Sequence, residues 1–259
     1  MFLPTGGPRS PTSPPLSEFP PSRTTPPEPG ILLHPSVQRL LSSLAVSTMI
    51  VTLDGPGGTG KSTVSRVVAY KVGLPHLDTG AFYRAATLAV LEAEVNPSDG
   101  VAVENVVSQL EMSQESGRMY LNGRDVSTEI RGEAVTAAVS AVSAHPDVRK
   151  RLVEMQRAWV EEHGGGVVEG RDIGSVVFPD ATVKVFLDAS PEVRAGRRAM
   201  ETGESVEEVL NDLNRRDQLD STRTASPLTI PEGALVIDTS DLTFAEVVDE
   251  VLGLISAKS

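Results

Sequence analysis

Met49-Ile50-Val51-Thr52-Leu53-Asp54-Gly55-Pro56-Gly57-Gly58-Thr59-Gly60-Lys61-Ser62-Thr63 is the stretch on which the reading of this chain turns. It opens as a short apolar run, the pattern of a buried strand. From Gly55 to Ser62 it reads G-x-x-x-x-G-K-S. Glycines there let the backbone curl round a phosphate with its N–H groups pointing inward. In such a loop Lys61 reaches the β- and γ-phosphates and the Ser62 hydroxyl holds Mg²⁺. Thr63-Val64-Ser65-Arg66-Val67-Val68-Ala69 follows with a helical pattern, so the N-terminal dipole of a helix faces the same phosphate. Strand before and helix after is the context that separates a nucleotide-phosphate loop from a glycine-rich turn.

The composition narrows the classes. The 259 residues suffice for one good-sized domain with appendages and a buried core. A formal net charge of −12 argues against bulk binding to nucleic acid or an anionic membrane and fits a soluble cytosolic protein. The 23 basic residues divide into 18 Arg and 5 Lys. Arg supplies rigid, bidentate donors for phosphate and carboxylate, so an acidic chain rich in Arg points to local phosphate clamps. With no Cys there is no disulfide, thiolate metal site or Cys nucleophile. No apolar run approaches the roughly 18 residues of a membrane span.

Residues 1–47 carry 11 of the 19 prolines, with Ser and Thr filling much of the remainder. Such a segment buries too little apolar area to offset its ordering entropy, and the expectation for 1–48 is a disordered leader. It lacks the basic and apolar regions of a signal peptide. Met49, just before the first strand, is then the expected natural start, with 1–48 an over-long reading of the gene. Beyond it, apolar strands alternate with helical patterns, which predicts an α/β domain with a mainly parallel sheet. Expected strands are Met49–Leu53, Val167–Glu169, Thr182–Asp188 and Ala234–Asp238. Expected helices include Ala81–Glu94, Glu133–Ala144, one starting at Pro146, one after Ser190-Pro191, and one capped by Ser205 with Glu208. Residues 101–132 read as an insertion: a short helix, Val103–Leu110, then strand-like pieces with a hairpin signal at Asn122-Gly123.

Several constellations outside the loop could carry chemistry. Asp78-Thr79-Gly80-Ala81-Phe82-Tyr83-Arg84 is a polar turn entering a helix, where Thr79 and Arg84 could grip a phosphate or a sugar. An ordinary helix cap with a surface Arg reads the same way. Glu169-Gly170-Arg171-Asp172-Ile173-Gly174 follows a buried strand, and ligands of parallel sheets sit at the carboxyl ends of strands. The alternative there is a salt-bridged turn. Arg194, Arg197 and Arg198 share one helical face, where like charges repel and a nearby anion would offset the cost. Arg216 to Arg223 adds a further Arg/Asp cluster, with Asp217 and Asp220 between. Each of the last two also reads as a solvated face. Ser140 and Arg149 lie on the two helices flanking Pro146, and no pattern selects them. There is no H-E-x-x-H, no G-x-S-x-G and no cluster of His, and no N-K-x-D follows the loop, which argues against a guanine-specific GTPase. The residues alone leave open a P-loop kinase for this or another acceptor and a P-loop switch that hydrolyses ATP slowly. The second set of Arg/Asp residues favours the kinases, because a switch needs no second phosphate pocket.

Together these strings resemble the bacterial cytidylate (CMP/dCMP) kinase family. The resemblance rests on Asp54-Gly55-Pro56 running into the loop, Leu77 to Arg84, Val126-Ser127-Thr128-Glu129-Ile130-Arg131, Gly170-Arg171-Asp172-Ile173-Gly174-Ser175-Val176-Val177-Phe178-Pro179-Asp180, and Arg216-Asp217 through Asp220 to Arg223. It covers about 49–259. It implies the P-loop nucleoside monophosphate kinase fold: a five-stranded parallel sheet flanked by helices, with a small monophosphate-side insertion at about 95–135 and a short lid at about 197–206. It implies transfer of the γ-phosphate of ATP to CMP and dCMP, with Mg²⁺, by a cytoplasmic monomer that binds neither nucleic acid nor membrane. By position, Gly55 to Thr63 would hold ATP, Ser62 the metal, and Lys61, Arg171, Arg197 and Arg198 would be the catalytic cations, the last two on the lid. Ser140, Arg149 and Asp172 would read the cytosine. Thr79, Arg84, Arg171 and Arg216 would surround the acceptor phosphate, and Asp220 and Arg223 would hold the sugar. Thr79 stands where the family often has Ser. Whether Glu169 or Asp172 lies nearer the metal stays open.

Overall fold

The computed structural model describes residues 49–223 and 225–258; the 1–48 leader, and the disorder expected of it, lie outside the described residues. The first half of the chain gives β1 (Met49–Asp54), α1 (Lys61–Val72), β2 (His76–Asp78), α2 (Thr79–Glu92), α3 (Gly100–Val107), β3 (Met112–Glu115), β4 (Arg118–Leu121) and β5 (Arg124–Asp125). There follow α4 (Glu133–Ala144), α5 (Pro146–His163), β6 (Gly165–Glu169), β7 (Val183–Asp188), α6 (Pro191–Thr202), α7 (Val206–Thr222), β8 (Leu235–Asp238) and α8 (Phe244–Lys258).

Five strands form one parallel sheet in the order β2-β6-β1-β7-β8. Helices cover both faces of the sheet, and β6 accordingly sends Val167 into one core and Val168 into the other. On one face Val51, Leu53, Val167, Val185 and Leu187 pack against Val64 and Val68 of α1 and Val247, Val251 and Ile255 of α8. On the other, Leu77 and Val168 pack against Phe82 and Ala85 of α2 and Leu152 and Trp159 of α5. The second, antiparallel sheet β3-β4-β5 is tied to the first through Gln114. Its carbonyl accepts from Trp159 Nε1 at 3.0 Å, and its Oε1 accepts from the Asp78 amide at 3.0 Å.

Three carboxylates end three neighbouring strands: Asp54 on β1, Glu169 on β6 and Asp78 on β2, with Leu53 and Asp78 both in register with Glu169. The carboxyl edge of the sheet is therefore acidic at its base. Alternation along β1 sends Val51 and Leu53 into one core and Thr52 and Asp54 to the opposite face.

Most expected elements form, with shifted ends. α2 starts at Thr79 rather than Ala81, because the Asp78 side chain accepts the Ala81 amide and so caps the helix two residues earlier. α3 starts at Gly100, capped in the same way by Asp99 through the Ala102 amide. Ser205 caps α7 by accepting the Glu208 amide at 3.2 Å, and its hydroxyl donates to Glu208 Oε2 at 2.7 Å. Ile173–Val177 forms a π-helical turn, which the sequence reading did not anticipate. Among the described residues no helix is long and apolar enough to cross a membrane.

Gly55 marks where the loop leaves the sheet. Its φ is +142°, and a Cβ there would sit 2.0 Å from the Leu187 carbonyl oxygen of β7. Both the conformation and the contact exclude a side chain without movement of β1 from β7. Gly55→Ala is therefore expected to lower unfolding stability by at least about 3 kcal/mol, read from the midpoint of urea unfolding. An unchanged midpoint would show that β1 and β7 are not held at this spacing.

Candidate active site

The phosphate loop joins β1 to α1 over the carboxyl edge of the sheet. Thr59 Oγ1 donates to the Pro56 carbonyl at 3.2 Å, and Lys61 Nζ donates to the same carbonyl at 2.5 Å and to Thr59 Oγ1 at 3.3 Å. Burial pushes the Lys61 ammonium down to a pKa of about 7, with the charge of Arg171 acting in the same sense and Glu169 and Asp54 opposing. Ser62 Oγ donates to Glu169 Oε2 at 2.7 Å, while Glu169 Oε1 lies 3.2 Å from His76 Nε2 and His76 lies 2.9 Å from Ser65 Oγ. Burial works to raise the pKa of Glu169, but the hydrogen bonds of His76 and Ser62 and the charge of Lys61 hold it below the usual range. Asp54 is fully buried and accepts the amides of Ile173 and Gly174, each at 2.7 Å. Burial raises its pKa to about 6, with the two amides opposing.

Above this base runs a ladder of alternating charge. Arg194 pairs with Asp217 at 2.5 Å, Asp217 with Arg171 at 3.4 Å, and Arg171 with Asp220 at 3.1 Å. Asp220 pairs with Arg223 at 3.4 Å, Arg223 lies 3.6 Å from Asp172, and Asp172 is hydrogen-bonded to the Arg149 guanidinium. Arg149 lies over the Tyr83 ring, 5.2 Å from its centroid. Burial pushes the Tyr83 hydroxyl up to about 12, so the ring stays neutral beside the guanidinium. Arg216 is nearby, and burial with the adjacent charge of Arg171 brings its pKa down to about 9.

The structure thus brings Lys61, Arg171, Asp172, Arg149, Arg216, Asp220 and Arg223 to one cleft. Thr79 faces it from the start of α2, buried, donating to the Glu169 carbonyl at 2.7 Å. Arg84 points along the rim to Thr136 Oγ1 at 3.0 Å and the Ile130 carbonyl at 3.3 Å. Ser140 connects to Arg149 through Ser143. Ser143 Oγ donates to the Ser140 carbonyl at 3.2 Å, and Arg149 donates to the Ser143 carbonyl at 3.3 Å. Arg197 and Arg198 border a shallow groove beside Gly58 and Gly60. Within it Arg197 donates to Thr239 Oγ1 at 2.9 Å, and Arg198 pairs with Glu201 at 3.1 Å on the exposed side of α6.

The repulsion expected among Arg194, Arg197 and Arg198 is corrected here. Each long side chain splays to its own protein partner, so no bound anion is required to offset it. Three residues of the cleft were given no role from the sequence, Asp54, His76 and Tyr83, and Arg194 was grouped only with Arg197 and Arg198. Asp54 immediately precedes the loop and is the one polar residue at the end of an apolar strand, which was the available signal. Nothing local marks His76.

Ser62 and Glu169 set a hydroxyl and a carboxylate side by side. Such hard oxygen donors suit Mg²⁺, which takes one or two protein groups and completes its shell with phosphates and water.

The family model described as cytidylate kinase matches residues 51–257. The chain is 50% identical over 219 residues to a cytidylate kinase of Mycobacterium leprae (strain Br4923), covering 83% of this chain and 98% of that one. It is 51% identical over 222 residues to that of Mycolicibacterium paratuberculosis (strain ATCC BAA-968 / K-10), covering 82% and 97%. A cytidylate kinase of Caldanaerobacter subterraneus subsp. tengcongensis is 47% identical over 209 residues, covering 79% and 93%.

With a pKa of about 7, Lys61 is mostly neutral at pH 8 until an anion arrives beside it. Phosphates at the loop raise that pKa, so triphosphate binding at pH 8 draws a proton onto Lys61. Calorimetry of ATP binding in buffers of different ionisation heat is expected to show uptake larger by most of about one proton in the native protein than in Lys61→Met. Equal proton counts in the two proteins would place the proton elsewhere.

Proposed function

The chain belongs to the cytidylate kinase family, and we infer that it transfers the γ-phosphoryl group of ATP to CMP and dCMP, giving ADP and CDP or dCDP. The observation that carries the reading is a row of ion pairs that begins beside the phosphate loop and runs unbroken to Arg149. The phosphate loop with Lys61 stands at one end, and the Arg171–Asp220–Arg223–Asp172–Arg149 ladder leads from it to the other. Phosphoryl transfer between nucleotides needs no covalent enzyme intermediate; it needs in-line positioning and neutralised charge.

In this reading the loop amides and Lys61 hold the β- and γ-phosphates. Arg171, Arg216, Thr79 and Arg84 face the acceptor phosphate, whose oxygen attacks the γ-phosphorus while the bond to the ADP oxygen breaks. Asp220 and Arg223 take the sugar. Mg²⁺, held by Ser62 and near Glu169, supplies further neutralisation of the donor phosphates when bound. Arg149 and Asp172 give the base end a donor beside an acceptor. Cytosine offers an amino group to Asp172 and an unprotonated ring nitrogen to Arg149; uracil presents the reverse pattern and leaves both unpaired, which is the stronger form of discrimination. Ser140 completes this end. Residues 95–135 serve as the acceptor-side insertion. Residues 197–206, the end of α6 and the turn after it, serve as the lid carrying Arg197 and Arg198. The enzyme acts in the cytoplasm as a monomer, without nucleic acid or membrane partners.

With ATP and Mg²⁺, the purified protein is expected to convert CMP and dCMP to diphosphates and to use UMP poorly. Asp172→Asn, which turns an acceptor into a donor, should narrow the CMP-to-UMP ratio of kcat/KM by about tenfold or more. Coupled turnover assays over a panel of nucleoside monophosphates read both effects. A preference for AMP or UMP by about tenfold would overturn the substrate assignment.

A further inference from the structure

We propose that Asp217 is a positioning residue that couples the ATP loop to the acceptor pocket, by holding Arg194 and Arg171 on one carboxylate. This goes beyond the reading above but rests on it, because coupling requires two nucleotide sites.

Asp217 lies on α7, one turn after Leu213, and each of its oxygens has a separate role. Oδ2 takes Arg194 at 2.5 Å, and Oδ1 takes Arg171 at 3.4 Å. Arg194 is the donor-side arm. It is buried, its Nε donates to the Ala189 carbonyl at 3.0 Å, and its Nη1 donates to the Gly57 carbonyl in the phosphate loop at 3.1 Å. Arg171 is the acceptor-side arm, paired also with Asp220 at 3.1 Å. The two arms meet at adjoining loop residues, Arg171 beside Gly57 and Arg194 beside Gly57 and Gly58. A Cβ on Gly57 would stand 3.2 Å from Arg171 Nη2 and 3.2 Å from Leu213 Cδ2, and one on Gly58 would stand 3.0 Å from Arg194 Cβ. Gly57-Gly58 is therefore pressed between Arg171 and Arg194, and the clip is fastened by Asp217.

The consequence is mechanical and electrostatic. An acceptor phosphate that draws Arg171 toward itself changes the load on Asp217 Oδ1. The same carboxylate sets the position of Arg194 and hence of the Gly57 carbonyl. Conversely, a triphosphate that orders Gly57-Gly58 sets the position from which Arg171 meets the acceptor. Asp217 touches neither nucleotide in this scheme; it acts through the two arginines. Linkage makes the effect reciprocal: whatever factor CMP contributes to the affinity for ATP, ATP contributes to the affinity for CMP.

The test is the binding of a non-hydrolysable ATP analogue, by calorimetry, with and without saturating CMP. In the native protein CMP is expected to tighten the analogue by about fivefold or more, within the usual range of site–site coupling. In Asp217→Asn, which keeps size and shape but loses the charge, the factor should fall below about twofold, and kcat should drop more than either KM rises. Asp217→Glu, which restores the charge, should recover most of the coupling. A variant that merely loosened the fold would weaken both affinities and leave their ratio intact. Arg194→Lys, which keeps the charge but loses the Nε anchor on the Ala189 carbonyl that aims Nη1 at both Gly57 and Asp217, should lose coupling in the same way and serves if Asp217→Asn does not fold. Native protein that turns over CMP without coupling, or Asp217→Asn that turns it over with native coupling, overturns the proposal alone. Native protein that does not phosphorylate CMP removes the two-nucleotide reading and the proposal together.

Discussion

The carboxylate of Asp54 holds the backbone amides of Ile173 and Gly174, and the site depends on that pair of hydrogen bonds. β1 delivers the phosphate loop and β6 delivers the turn carrying Arg171 and Asp172. The strands are neighbours in the sheet, but sheet pairing ends at Leu53 and Glu169. Past that point only side chains and turn contacts fix the distance between donor loop and acceptor turn. Asp54 does so at the first residue beyond the paired register. The fit is close on the other side as well: a Cβ on Gly174 would stand 2.8 Å from Thr52 Oγ1 and 3.2 Å from Asp54 Oδ2. Burying this carboxylate is costly, which is why its pKa rises to about 6. Two short bonds from amides to the charged form offset part of the cost, and a neutral carboxyl would keep only one acceptor oxygen free of its own proton.

The ladder above Asp54 obeys the same logic on a larger scale. Buried ion pairs contribute little net stability, since desolvation consumes most of the attraction. Their use here is orientation: Arg171 and Arg223 are each held between two carboxylates, and Arg194 and Arg149 close the ends with one each. The ladder is also incompletely satisfied. Among the described residues Asp220 Oδ2, Arg223 Nη2 and Arg216 Nε are buried without a hydrogen-bonding partner, although Asp220 Oδ2 is ion-paired with Arg171 at 3.1 Å. Orphaned polar atoms in a native interior call for an explanation. Arg149 Nε, Thr52 Oγ1, Ser175 Oγ and the Gln156 amide are orphaned too, and in the cleft such unmet capacity is what a polar, anionic substrate would complete. The chain's acidity and its wealth of Arg are reconciled in this way: the positive charge is drawn inward to the cleft and balanced there by Asp.

The sequence disclosed what is local and concealed what is assembled. The loop was legible because its glycines, Lys61 and Ser62 act on one ligand from consecutive positions. The five-stranded parallel sheet was legible because its strands are apolar runs between helical periods. Ser140 and Arg149 were reached only through family resemblance, since the contact of Arg149 with Asp172 spans 23 residues and leaves no periodic trace. Arg194 shows the limit more sharply. Helical spacing grouped it with Arg197 and Arg198, whereas its partners are Asp217 and the Gly57 carbonyl, 137 residues away in sequence. Spacing fixes where a Cα lies on a helix; it does not say which way a six-atom side chain turns. The π-helical turn at Ile173–Val177 was illegible for a related reason. Its shape follows from Asp54 claiming two amides, a long-range contact that overrides local propensity.

One lysine among so many arginines follows from the same physics. An arginine stays protonated when buried, so guanidinium groups can build a permanent framework; even Arg216, the most strongly perturbed in the cleft, falls only to about 9. An ammonium is a compact point charge whose protonation responds to its surroundings. Lys61, at about 7, is the cation of the cleft whose charge is conditional near neutral pH. Before nucleotide arrives it rests on the Pro56 carbonyl and Thr59, bonds a neutral amine makes less strongly. An arriving triphosphate then restores the full charge at the place where negative charge is concentrated. The fixed arginines can thus attract and orient two anions, while Lys61 reaches full strength only when the donor is in place.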